Sequence, residues 1–402
     1  MPLDLSNLSK QIRAMSGSLA VEADAKQSRQ QLALGRYLEE AAEHHKWAEA
    51  VNLSRETAAW LFAQPTEPLD TVVDLPFRPE AYALVATDGS QIDVERHGIA
   101  VCYVINIGRV FIRYGDQPMA RLNAEPTLFY RDEDLYLSDG VRRIPIEGNY
   151  LSSRRDVEEG VALVGLADEF LDDSLPCIAL QDGTLVRWTL ANAERVVQDE
   201  FLTPYFEYLT AMQQRGIPVA SYISRPRAPE VAGTIRLMFC PDVKVSEGRG
   251  ATCSSCSAVA AGSEPPCVVC DGLTDAEILA EGLEEGQRGP IFVSMSRINV
   301  EKYGQHLIHF FYMRVGREVA RVEIPRWVAL DRAMVDRVHS LIYDQCMRGQ
   351  GYPVVLARAH EQAIVRSADK KAFMSIVEGS LLRADLPASS SRKAESKQRP
   401  SL

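Results

Sequence analysis

Two short segments carry the acidic chemistry of this chain. Thr87-Asp88-Gly89-Ser90-Gln91 follows one apolar run, and Gln181-Asp182-Gly183-Thr184-Leu185 follows another. Each puts a carboxylate where the chain is expected to leave a buried strand, with a glycine behind it that permits a tight turn. Open sheets bind ligands at such strand ends. Two carboxylates on adjacent strand ends can share divalent cations, and hard ions such as Mg²⁺ or Mn²⁺ prefer oxygen ligands. Asp-Gly is also a very common turn dipeptide, so either motif alone reads as a turn. Two Asp-Gly-Ser/Thr motifs after two buried runs point further, toward function.

The segment RRDVEEGVALVGLADEFL, between those motifs, offers a third carboxylate. On a helix, Glu159 shares a face with Leu163, Leu166 and Phe170, whereas Glu158 lies in line with Gly165 and Glu169. An inward-facing carboxylate is costly unless it is paired or bound to metal. Glu159 is therefore the preferred inward group and Glu158 the alternative; a helix boundary with both solvated is the bland reading.

A different chemistry lies at Cys253-Ser-Ser-Cys256 and Cys267-Val-Val-Cys270. Each CxxC turn aims two sulfurs at one ion, which suits a tetrahedral four-thiolate zinc site. The intervening SAVAAGSEPP is too short for a core of its own, so structural Zn²⁺ would replace one. Iron–sulfur ligation is the less favoured alternative. The other four cysteines (Cys102, Cys177, Cys240, Cys346) sit in apolar surroundings. This usage fits a reducing compartment better than a disulfide framework.

The elements that must position these groups belong to an ordinary globular chain. It has 402 residues, 46% hydrophobic and 25% charged, which excludes a mainly disordered protein. The net charge of −11 excludes an all-over basic coat for nucleic acid. It leaves room for a metal-dependent nuclease, whose site is itself acidic and whose basic strip would be local. No apolar run is long enough for a membrane span, and the N-terminal residues lack a signal-peptide core. A cytoplasmic protein is expected.

Residues 1–70 read as a helical N-terminal region, with Leu32, Leu34, Tyr37, Leu38 and Ala41 at helical steps. It is either a dimerisation arm or an extension packed on the core. Residues 71–385 read as the main domain, with the zinc knuckle as an insertion at 250–273 and a disordered tail at 386–402. Strands are expected at 82–89, 99–107 and 110–114, with a turn at Asn106-Ile-Gly-Arg109. Further strands fall at 176–180, 218–223, 291–295, 307–315, 319–324 and 353–356. Helices fall at 156–171, 191–213, 330–348, 360–365 and 370–382. A meander followed by alternating strands and helices predicts an α/β fold, a mixed sheet flanked by helices. Arg187, Arg225 and Arg227 lie near strand ends, where their planar forks could meet phosphate. Tyr222 either helps to position DNA or packs in the sheet.

In this order, Asp88-Gly89-Ser90, an Arg-rich helix with Glu158 and Glu159, and Asp182-Gly183-Thr184-Leu185 resemble the NurA nuclease family. Val219-Ala-Ser-Tyr-Ile-Ser-Arg-Pro-Arg227 is similar to the family's strand with a basic end, and Tyr352-Pro-Val-Val-Leu-Ala-Arg-Ala-His360 to its histidine motif. The resemblance implies a ribonuclease H-like core and a homodimer working with a hexameric HerA-type ATPase in DNA end processing and double-strand break repair. It implies Mn²⁺- or Mg²⁺-dependent hydrolysis of DNA, as a 5′ to 3′ exonuclease and a single-strand endonuclease. By the same resemblance the metal carboxylates are Asp88, Glu159 (or Glu158) and Asp182, joined by His360. The zinc knuckle departs from the family's minimal pattern. Two other readings remain: a non-catalytic zinc-containing DNA-binding adaptor on a nuclease-like fold, and a phosphatase with a similar carboxylate cluster.

Overall fold

A computed structural model describes residues 4–94, 100–171 and 175–386. The expected disordered tail lies outside the described residues from Pro387 onward. The chain divides into two compact units: Met1–Leu75 with Ile223–Val300 and Leu307–Val322, and Pro76–Tyr222 with Glu301–His306 and Glu323–Leu402. No helix among the described residues is long and apolar enough to cross a membrane.

The first unit opens with the long helix Leu5–Glu39, followed by the helix His44–Ser54. The stripe that packs is Ala33, Tyr37 and Ala41, with Leu34 half-buried against it. Leu32 and Leu38 stay exposed. The unit's strands include Ala63–Pro65 and Phe292–Ser294, which pair antiparallel, and Ile308–Val315, antiparallel to the latter. The helix Glu230–Phe239 is fixed at its start by the buried Asp275 carboxylate. That group accepts from the backbone N–H of Glu230 (3.1 Å) and Ala232 (2.9 Å) and from the Tyr312 hydroxyl (2.8 Å). Burial pushes the Asp275 carboxyl up to about 7. Beside it, Glu230 is ion-paired with Arg321, and both side chains are 2% exposed.

The second unit is a mixed sheet flanked by helices. The strands Tyr82–Ile92, Tyr103–Tyr114 and Met119–Phe129 form an antiparallel meander. Cys177–Asp182 runs parallel to the first of these, and Val219–Ile223 parallel to Cys177–Asp182. Two expectations are corrected here. No turn interrupts residues 106–109: Gly108 sits within the continuous strand Tyr103–Tyr114, between Asp88 and Ala124. A Cβ on Gly108 would overlap the Ala359 carbonyl, so this glycine serves a close helix approach and not a reversal. The segment 353–356 is not a strand. Pro353 precedes the helix Val354–Ala363, a position where a missing N–H does no harm.

On one side of the sheet lie the helices Asn149–Phe170 and Arg195–Gln214. They meet at Gly160, where a Cβ would overlap the Tyr208 ring. That ring cannot yield freely, because its buried hydroxyl donates to Gln181 Oε1 at 2.6 Å. Gly160→Ala should therefore cost about 1–3 kcal/mol through overpacking, despite alanine's better helix propensity. Thermal melts of the two proteins measure this, and an unchanged or raised Tm would contradict the packing.

Candidate active site

Asp88 and Asp182 lie side by side on parallel strands. Thr87 pairs with Gln181, so the next residue of each strand turns to the same opposite face. Asp182 ends its strand as expected, and Gly183 turns the chain at φ +77°. Asp88 departs from expectation, since its strand continues to Ile92. In both motifs the glycine N–H donates to the Oδ1 atom of the preceding aspartate, at 2.8 Å for Asp88 and 2.9 Å for Asp182. The outer oxygen of Asp88 meets His360 Nδ1 at 2.7 Å.

His360 comes from the helix Val354–Ala363, and its side chain is 64% exposed. The strands hold this helix at its C-terminal end. Ser90 Oγ donates to the Ala363 carbonyl, and Asn106 Nδ2 donates to the same oxygen at 2.8 Å. The serine of the first motif is thus a helix clamp rather than a ligand.

Glu159 approaches from the opposite side of the sheet. Its residue is 7% exposed, and Thr87 Oγ1 donates to its backbone carbonyl at 3.0 Å. A Cβ on Gly89 would lie 2.6 Å from Glu159 Oε1 and 2.6 Å from Arg155 Cγ. Gly89 is therefore the opening through which Glu159 and Arg155 reach the strand. Burial, followed by the charges of Asp156 and Asp88, pushes the Glu159 carboxyl up to about 8 against the opposing pull of Arg155. Arg155 Nε stands 3.3 Å from Glu159 Oε1. Glu158 instead faces Arg154 at 3.3 Å, and burial raises its carboxyl as well. Asp182 is open to solvent as a residue, yet crowding desolvates its carboxyl and raises it, with the Asp88 charge adding to the effect.

Tyr352 is the group that the motif reading passed over. It bonds to the Asp182 side chain, and its phenol is raised by burial and by the charges of Asp182 and Asp88. The signal lay in the sequence, eight residues before His360 on the same segment. Glu323 is a second: 1% exposed, it accepts from Thr184 Oγ1 (2.9 Å) and Leu185 N (2.7 Å), fixing the turn after Asp182.

Two of the residues considered for nucleic-acid contact are interior. Arg187 pairs with Asp156 at 2.5 Å, donates to the Thr184 carbonyl and lies over the Tyr205 ring at 4.8 Å. Tyr222 is fully buried and meets Tyr352 edge to face at 5.6 Å, so of its two readings the structure takes packing. Arg225 and Arg227, in the first unit, are exposed, and Arg225 pairs with Glu318 at 2.6 Å.

Carboxylates and an imidazole on the rim of a mixed sheet are the donors of a metal-assisted hydrolase. The chain belongs to the NurA domain family, a family of nucleases: the family model, described as NurA domain, matches residues 82–365. No curated protein and no solved structure matches the chain. Among the described residues, no three His, Cys, Asp or Glu side chains already converge as a metal-holding group. The acidic donors nevertheless suit a hard divalent ion. Glu159 is buried, and burial raises its carboxyl, so its charged form lacks the solvation that such an ion could supply.

The elevation of Glu159 has a signed consequence. Its unfolded value is about 4.3, so between there and about 8 the folded chain binds the extra proton. Stability from this group is full below the lower value and is lost as pH rises through the upper one. In metal-free buffer, Glu159→Gln should gain Tm relative to wild type steadily from pH 5 to pH 8, each unit of elevation being about 1.4 kcal/mol. A pH-independent difference between the two proteins would show that Glu159 is not proton-loaded.

Proposed function

We propose that this chain is a Mn²⁺- or Mg²⁺-dependent deoxyribonuclease on a ribonuclease H-like core. It would act as a 5′ to 3′ exonuclease and single-strand endonuclease, with a HerA-type hexameric ATPase, in DNA end processing and double-strand break repair. What supports this is Asp88 bonded to His360, Asp182 on the adjacent parallel strand and the buried Glu159 close enough to feel the Asp88 charge, within a matched nuclease domain. An antiparallel meander continued by two parallel strands supports the core assignment. Free cysteines support a cytoplasmic setting.

Asp88, Asp182 and Glu159 would hold the divalent ions, which when bound supply an activated water and stabilise the leaving oxygen of the phosphodiester. The chain's own groups do the rest. His360, open to solvent beside Asp88, is placed to orient a water or relay a proton. Tyr352 fixes the Asp182 carboxylate through its hydroxyl, and Glu323 fixes the turn that carries it. Arg155, 3.3 Å from Glu159 Oε1, would be placed to turn to phosphate. Arg225 and Arg227 remain exposed candidates for backbone contact. Cys253, Cys256, Cys267 and Cys270 mark a structural Zn²⁺ module.

The test is cleavage of single- and double-stranded DNA with Mn²⁺, Mg²⁺ or EDTA. Asp88→Ala and Asp182→Ala should each lose at least about 100-fold in rate, and Tyr352→Phe, which only orients a ligand, about 10–100-fold. Wild-type activity in both aspartate variants would refute the site. Inactivity of the wild type even with a HerA-type partner would favour a DNA-binding adaptor.

The homodimer has its own support. Leu5, Leu8, Ile12, Met15 and Leu19 are all exposed on one helix at alternating steps of three and four. That is the period of a coiled-coil seam. The double variant Ile12→Glu/Leu19→Glu should shift the mass by light scattering from dimer toward monomer while each chain stays folded. An unchanged dimer would place the interface elsewhere.

A further inference from the structure

Beyond Asp182 the second unit presents a tryptophan to solvent. Trp188 is 37% exposed, on the short turn Trp188–Leu190. The chain's other tryptophans are taken up in packing. Trp47 is buried and its indole donates to Glu40 at 3.1 Å. Trp60 donates to the Gly233 carbonyl at 3.1 Å and lies under the Arg236 guanidinium. Trp327 is half-buried. Among the described residues no ring, cation or hydrogen-bond acceptor engages the Trp188 indole. The neighbouring Arg187 guanidinium is turned to the Tyr205 ring instead.

A single exposed apolar side chain is ordinary surface. This one differs in how firmly its backbone is held. The Tyr205 hydroxyl donates to the Leu185 carbonyl at 3.0 Å, and the Arg187 N–H donates to the Tyr303 hydroxyl at 2.7 Å. Arg187 is paired with Asp156, and Thr189 Oγ1 is hydrogen-bonded to Ser153 Oγ at 3.1 Å, both on the helix Asn149–Phe170. Gln198 Nε2 donates to the Leu190 carbonyl at 2.9 Å, closing the far side of the turn. The same contacts locate the ring. From Ser153 to Glu159 the helix rises about 9 Å. A stacked nucleic-acid strand advances about 3.4 Å per nucleotide, so on the order of three nucleotides span that rise. Arg155 stands on the helix between the two levels.

We propose that Trp188 is a stacking platform for single-stranded DNA, its indole taking the face of one nucleobase a few nucleotides from the phosphodiester that lies at Asp88 and Asp182. This rests on the nuclease reading given above and adds to it a residue that holds the strand. Surfaces for single strands pair cations for the backbone with rings for the bases, and stacking accepts any base because every base has a π-face. A ring on a turn already fixed loses little freedom when a base settles on it. Bases inside a duplex are stacked on one another and offer no free face, so the platform favours unpaired strands and frayed ends.

The test is binding by the full-length protein, with Ca²⁺ in place of Mn²⁺ or Mg²⁺, read by fluorescence anisotropy. The probes are oligo(dT) and an abasic strand of equal length. Wild type should prefer the strand that carries bases. In Trp188→Ala that preference should fall about fivefold to a hundredfold. Binding to the abasic strand, the Tm and the salt dependence should stay as in wild type, because no phosphate contact is removed. Trp188→Phe should keep most of the preference, and Trp188→Leu, apolar but without a ring, should lose it. A wild type that binds both strands equally, a preference that survives Trp188→Ala, or equal preferences in the Phe and Leu variants would overturn the proposal and leave the nuclease reading standing. A wild type that binds neither strand would overturn both.

Discussion

Acidic groups carried close to one another on a sheet repel and lose water, so each needs a device of its own. The second unit supplies those devices separately. Asp88 and Asp182 are set side by side by strand register, and each has one oxygen satisfied by the glycine N–H that follows it. Their remaining oxygens face different partners, His360 for Asp88 and Tyr352 for Asp182. Glu159 enters from the other side of the sheet, through the space of a missing side chain at Gly89. Each part tolerates little substitution, since a single Cβ at Gly89 would close the route.

The histidine depends on the same economy of space. Its helix packs so closely on the meander that Gly108 has no room for a side chain. Ser90 and Asn106, from two strands, satisfy the helix's terminal carbonyl at Ala363, which no longer has an intrahelical donor. Position and hydrogen bonding thus come from the residues of the sheet itself. Tyr352 reaches Asp182 from the turn between the helices Arg332–Arg348 and Val354–Ala363, and His360 reaches Asp88 from the second of these helices.

Much of this was legible in the sequence, because a strand-end aspartate such as Asp182 and the inward face of an amphipathic helix are patterns of period and position. The periods predicted the strands beginning at Tyr82 and Cys177, though not Met119–Phe129, as well as the helix bearing Glu159 and the amphipathic helix Arg332–Arg348, capped by Asp331. What misled was glycine, which means two different things. Gly183 does turn the chain, as Asp-Gly suggests, with a left-handed φ. Gly89 and Gly108 lie in extended strands, and their role is to admit another element, which one sequence cannot distinguish from turning. Burial was the other hidden quantity. Arg187 and Tyr222 stand near strand ends in the chain, but an ion pair with Asp156 and a ring contact with Tyr352 draw them inward. Those partners come from distant segments. Tyr352 went unread for the same reason, since only the fold brings it to Asp182.

The buried charge of Glu159 is covered from several sides. Glu159 keeps a proton up to about 8, and Arg155 and Arg187 pull in the opposite direction to Asp156 and Asp88. A divalent ion drawn to these oxygens would have to displace that proton and compete with Arg155. If the ion binds there as proposed, its affinity would rise with pH as that proton is displaced. The arrangement that makes the carboxylate expensive to bury makes it responsive to a cation: the free energy withheld by desolvation is returned when positive charge arrives. The release of Arg155 from Glu159 would come at the moment a phosphate needs a counter-charge. A cation at Glu159 and an anion at Arg155 would then be linked through one ion pair.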